Sequence, residues 1–163
     1  MSIPVIRCLI YDRSLIDKKH GKHYSNFMKV NTKIRYGLRM LIQLAQATAI
    51  VNTAALGKEM QVSPKYLRKL AGPMEKSGLI RSVQGIHGGY ALNREASEVS
   101  IQMVFAAFDE NIELTSCLKM KHCSLFDECV VRPVWEYLQG ILEREFFELT
   151  IDNILKGSFG KKE

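Results

Sequence analysis

The sequence predicts a mainly α-helical fold that carries one small β-hairpin and ends in a long helix. Three observations predict it. Apolar residues recur every three or four positions in 31–47, 63–78 and 130–155. A glycine-rich turn at 85–89 separates two short runs that suit strands. The last apolar stripe is longer than a small chain can cover by itself.

Composition bounds the rest. At 163 residues the chain suits one domain or two small ones. Its 47% apolar content can build a core, and 25% charge is ordinary for a soluble protein. No apolar run approaches the roughly 18 residues of a membrane helix. The opening MSIPVIRCLIYDRS has too short an apolar stretch for a signal peptide and no small-residue cleavage site. A cytoplasmic protein is expected, with clustered cysteines that serve metal binding or redox chemistry rather than structural disulfides.

Residues 1–27 are expected to be a poorly ordered or artefactual extension: DKKHGKHYSNF is polar and shows no period, whereas Met28 opens a well-formed segment. On that reading Cys8, His20 and His23 do no chemistry. In 31–47, Ile34, Leu38, Leu41, Ile42 and Ala45 form a helix face, with Asn31 or Thr32 as the cap. A short helix follows at 53–60, capped by Thr53. Ser63 followed by Pro64 is a strong helix start, and Gly78 is the matching stop. Pro73 should bend this helix or shorten its regular part.

Two short helices joined by a tight turn after a longer one make a helix-turn-helix. Lys65, Tyr66, Arg68 and Lys69 lie near the start of its second helix, where a recognition helix meets the major groove; Leu67, Leu70 and Met74 should face inward. LIRSVQ (79–84) and YALN (90–93) read as two strands around GIHGG (85–89), a wing whose glycines fit a tight turn. The 28–99 region is thus expected to be a winged helix-turn-helix domain for double-stranded DNA. Ser63, Lys65, Tyr66 and Arg68 would touch bases or phosphates. Lys69, Arg81, His87 at the wing tip and the Gly88–Gly89 backbone would hold the phosphates.

Charge agrees with that division. Residues 28–99 hold eleven Lys and Arg against four Asp and Glu, a net of +7, whereas residues 100–163 hold seven against eleven, a net of −4. The basic part can face a polyanion and the acidic part should not. The 100–163 region reads as a sensor and dimerisation region. It begins with a helix over 99–110 capped by Ser100 and ends with one continuous helix over 130–155. The stripe of that last helix is most simply covered by the same helix of a second copy.

Between the two lies CLKMKHCSLFDEC, which sets Cys117, Cys123 and Cys129 at equal intervals. On a helix a six-residue step turns about 600°, so the three thiols would point three ways. They converge only in a loop wrapped around something. Three thiolates and one further ligand can hold an iron–sulfur cluster or a zinc ion, and Lys119 and Lys121 can offset the charge. Zinc sites usually set cysteines two to four residues apart, so these wider gaps suit a larger inorganic core. A DNA-binding regulator with a metal-free thiol switch or a zinc site is the alternative. A small iron–sulfur carrier or redox enzyme is disfavoured: the chain has no C-x-x-C, no glycine-rich cofactor loop and no Ser–His–Asp or Cys–His set, so no enzyme is expected.

From residue 28 to about 155 the sequence resembles the IscR/NsrR-like family of bacterial winged helix-turn-helix regulators. The likeness rests on MKVNTKIRYGLRML, SPKYLRKLAGPMEKSGLI, GIHGGYALNR and the three spaced cysteines before a long helix. It implies a homodimer on a palindromic operator and a 2Fe–2S or 4Fe–4S cluster, held by Cys117, Cys123 and Cys129, whose state changes DNA affinity. The chain departs from the pattern at three positions. Arg132 stands where the IscR branch has a ligand histidine, and Arg35 where other members have a carboxylate. Gln84 stands where an arginine is common. The fourth ligand is therefore unassigned, with His122, Asp127, Glu128 or an exogenous thiol as candidates.

Overall fold

The computed structural model describes residues 30–47, 49–86, 88–115, 118 and 128–158. The expected extension over 1–27, His87, Cys117 and Cys123 lie outside the described residues.

Asn31 starts helix α1 (Thr32–Gln46) by accepting the Lys33 N–H at 3.0 Å, one of the four amides a helix start leaves without a partner. The helix buries Ile34, Gly37, Met40, Leu41 and Leu44 along one face. Gly37 is where the chain needs no side chain: a β-carbon there would sit 2.6 Å from the Phe108 ring. Strand β1 (Val51–Asn52) leads directly into α2 (Thr53–Met60). The cap is Asn52, whose Oδ1 accepts from the Ala54 N–H at 2.8 Å, rather than the expected Thr53, which is the first helical residue. Gln61 takes a left-handed conformation (φ 54°) and ends α2 within the tight turn of the motif.

Helix α3 (Pro64–Lys76) starts as expected, with the Ser63 Oγ accepting from the Tyr66 N–H at 3.2 Å. It continues through Pro73 to Lys76, so the proline does not shorten it there. Leu67, Leu70, Ala71 and Met74 are buried on both sides of the proline, and that packing outweighs the lost ladder bond. Gly78 follows with φ 72°, the conformation that favours glycine at a helix end. Strands β2 (Ile80–Val83) and β3 (Gly89–Leu92) form the hairpin, and β1 joins its other edge in the order β1-β3-β2, all antiparallel. Val51 pairs with Tyr90, and Ser82 with the same Tyr90 on the opposite side.

A 3-10 turn (Ala96–Glu98) leads to α4 (Ile101–Ala107), capped by Ser100, which accepts from the Met103 N–H at 3.3 Å. The C-terminal region differs from the continuous 130–155 helix of the sequence reading. It divides into α5 (Arg132–Glu148) and α6 (Ile151–Lys156). The break has a clear cause. Thr150 forms a β-bridge with Ser100, the Ile101 N–H donates to the Leu149 carbonyl and the Ile151 N–H to the Val99 carbonyl, each at 2.9 Å. Thr150 and Asn153 then cap α6 reciprocally. Ile151 is fully buried, so α6 folds back on its own core, while no residue of α5 is buried. No helix among the described residues is long and apolar enough to cross a membrane.

Candidate nucleic-acid interface

Burying Leu67, Leu70 and Met74 turns the other side of α3 to solvent. Lys65, Arg68 and Lys69 are exposed there, at the end of the helix that Ser63 caps. Among the described residues Lys65, Lys69 and Arg81 make no ion pair. Tyr66 is half-buried, and its ring meets that of Tyr36 edge-on at 5.7 Å. The Arg39 guanidinium lies 5.4 Å from the Tyr36 ring centroid. This small stack fixes the first turn of α3 to α1 and holds a cation beside it.

The wing is tied to the same helix. Glu75 of α3 accepts from both the backbone N–H and the hydroxyl of Ser82 on β2. Asn93 and Arg94 both donate to the Gly78 carbonyl at 3.3 Å. Asn52, the α2 cap, also donates to the Gly88 carbonyl at 3.2 Å, so one side chain joins the second helix to the hairpin. Beneath this lies Tyr90. Burial raises its phenol above the ordinary value of 10.0; Glu75 raises it further and Arg68 opposes. Arg81 is exposed on β2 opposite Ala91.

The glycines earn their places mainly through close backbone approach. A β-carbon on Gly89 would collide with the Val51 carbonyl, and one on Gly88 with the Val83 carbonyl. The Gly88 N–H donates to the Gly85 carbonyl at 2.9 Å, which closes the turn. Gly85 has φ 116°. Ile86 stands 93% exposed at the tip, a position the sequence reading passed over.

Of the three spaced cysteines, Cys129 is described. It is half-buried, and its carbonyl accepts from the Arg132 N–H at 3.2 Å at the start of α5. Glu128 is exposed beside it. The Arg132 Nε donates to Glu136 at 2.7 Å, a cation held by its own helix. The Arg35 Nη2 donates to Thr32 at 3.2 Å. His122 and Asp127 lie outside the described residues. Along α5, Val131, Val134, Trp135 and Leu138 form an exposed apolar stripe at positions i, i+3, i+4 and i+7.

Three hydrogen bonds leave no mark in the sequence. Asn31 donates to Glu110 at 2.7 Å across 79 positions, and Gln139 bonds the backbone at Ile112 and Leu114. No periodicity marks an isolated polar side chain whose partner is a distant carboxylate or peptide.

The chain matches the family profile described as Rrf2, iron-dependent transcriptional regulator, over residues 30–157. A Haemophilus influenzae protein of the helix-turn-helix-type transcriptional regulators is 32% identical over 130 residues, 78% of this chain and 87% of that protein. The structure of IscR from T. potens superposes with a TM-score of 0.62 at 27% identity, covering 83% of this chain and 93% of that one. The oxidized form of Staphylococcus aureus CymR superposes with a TM-score of 0.58 at 27% identity, covering 83% of this chain and all of that one.

Proposed function

The chain belongs to the Rrf2 family of transcriptional regulators, and from that premise we propose that it binds a palindromic operator as a homodimer and tunes that binding through an iron–sulfur cluster. The observation that carries the DNA half is the exposed cation set of α3, Lys65, Arg68 and Lys69, set at the capped end of a helix that the wing braces through Glu75 and Ser82. Ser63, Lys65, Tyr66 and Arg68 contact bases or phosphates. Lys69, Arg81, His87 and the Gly88–Gly89 turn lie along the backbone. A cytoplasmic location fits this task.

The donor set fits an iron–sulfur group. Three soft thiols, Cys117, Cys123 and Cys129, fall within one connecting segment, and Cys129 is half-buried at the foot of α5 rather than fully exposed. When bound, the group supplies a redox- and ligand-sensitive crosslink of the segment. The fourth ligand is drawn from His122, Asp127, Glu128 or an exogenous thiol, because Arg132 is a cation engaged with Glu136. The chain's own residues do the remainder: Cys129 anchors the loop to the first turn of α5, and α5 presents its stripe to the second copy.

Purification without oxygen tests the cluster. Visible charge-transfer bands, with iron and acid-labile sulfide in matched amounts and lost in Cys129→Ala, are expected. A colourless protein that also resists reconstitution with iron and sulfide sinks the cluster. It would leave the metal-free thiol switch, a reading favoured by the likeness to CymR, whose structure was determined in an oxidized form.

A further inference from the structure

The segment that leaves α4 toward the cysteines is gripped by one side chain of α5. Gln139 accepts the Leu114 N–H at 3.0 Å and donates from Nε2 to the Ile112 carbonyl at 2.6 Å. The same Nε2 lies 2.8 Å from a Glu143 carboxylate oxygen one turn along. A carboxamide can accept from one peptide and donate to another at once, as a neighbouring strand would. Glu110, near the start of the segment, accepts from Asn31, the cap of α1. Helix α1 in turn packs on α3. Around these bonds runs a cleft of about 390 Å³ between α4 and α5, lined by Phe105, Glu110, Ile112, Leu118 and Gln139. Ile112 packs on the edge of the core beside this cleft, and the two Gln139 bonds add directed contacts from α5 to the same segment. Leu114 is three positions from Cys117.

Resting on the regulator reading above, we propose that Gln139 is the positioning residue through which the state of the cysteine loop reaches α5, with the Glu110–Asn31 bond carrying it to the helix behind the recognition helix. When the three thiols bind or release a group, the restraint on the end of this segment changes, and Leu114 lies three positions from Cys117. The bonds to Ile112 and Leu114 give the amide little slack, so α5 moves with the segment. In a dimer joined along α5, that movement alters the spacing of the two recognition helices, and operator affinity depends on half-site spacing.

The test measures operator affinity of the full chain reconstituted with iron and sulfide, and of the same chain after iron chelation, in wild type, Gln139→Leu and Gln139→Glu. Hydrogen exchange at the Leu114 amide in the chelated protein reads the grip independently of DNA. Wild type is expected to differ between the two states by roughly tenfold, within the usual range for coupled sites. Gln139→Leu should bring that ratio within about twofold of unity while binding persists, with faster exchange at Leu114. Gln139→Glu keeps the acceptor for Leu114, loses the donor to Ile112, and should give an intermediate ratio; it carries the test should Gln139→Leu fail to fold. A ratio that survives intact in both variants overturns the coupling alone. So does an equal loss of affinity in both states together with a lower Tm, the mark of a merely structural residue. A wild-type ratio of one removes the sensor reading and this coupling with it.

Discussion

Arg68 and Lys69 are neighbours on the exposed side of α3, yet their removal should read differently. Arg68→Ala removes a fork that can grip a guanine edge. It should weaken binding roughly tenfold or more and relax preference at one base pair. Lys69→Ala removes a point charge. It should weaken binding alike on all sequences and reduce the slope of log K against log salt by about one. Fluorescence anisotropy across a salt series on operator and scrambled duplexes separates the two. Tyr90 offers a pH readout. Its phenol titrates above 10.0 when folded, because burial disfavours the phenolate. The stability this contributes is fully present below the unfolded value and is lost as pH rises through the folded one. Denaturation midpoints measured from neutrality to above pH 10 should fall less steeply in Tyr90→Phe than in wild type. At this scale the sequence was legible where chemistry is local. Ser63 capped α3 because cap and amide are three residues apart. The Asn31–Glu110 bond was not legible, because a fold must first bring the two together.

At the scale of elements, caps and close approaches decide what forms. Asn52→Ala removes the α2 cap and the bond to the Gly88 carbonyl together, and should cost about 1–2 kcal/mol in urea denaturation. Gly89→Ala drives a β-carbon into the Val51 carbonyl and should cost about 1–3 kcal/mol with loss of the β1 edge. Helices α1 and α3 were readable from their 3.6-residue stripes and start signals. Strand β1 was not, because two residues carry no period; it exists only because β3 offers an edge. The division of α5 from α6 was also hidden. The apolar pattern runs through 149–150, and only the bridge from Thr150 to Ser100 shows why the helix must stop there.

For the whole molecule, the unequal charge of the two halves and the uncovered stripe of α5 argue the same assembly. Two basic winged domains would face the DNA, joined through α5, with the acidic C-terminal regions turned away from it. In that proposed assembly α5 rather than α6 would make the contact, because α6 packs on its own core through Ile151. Trp135→Glu should therefore shift sedimentation toward a monomer while each domain keeps its fold, and operator affinity should fall because the two half-sites are no longer held together. The most direct measurement of the central claim is equilibrium binding of the oxygen-free protein to a duplex selected from random DNA, with and without prior removal of iron. The account predicts a dimer bound at least about a thousandfold more tightly than to unselected duplex at the same salt, with affinity changing on iron removal. Equal binding to selected and unselected DNA, indifferent to iron, would contradict it.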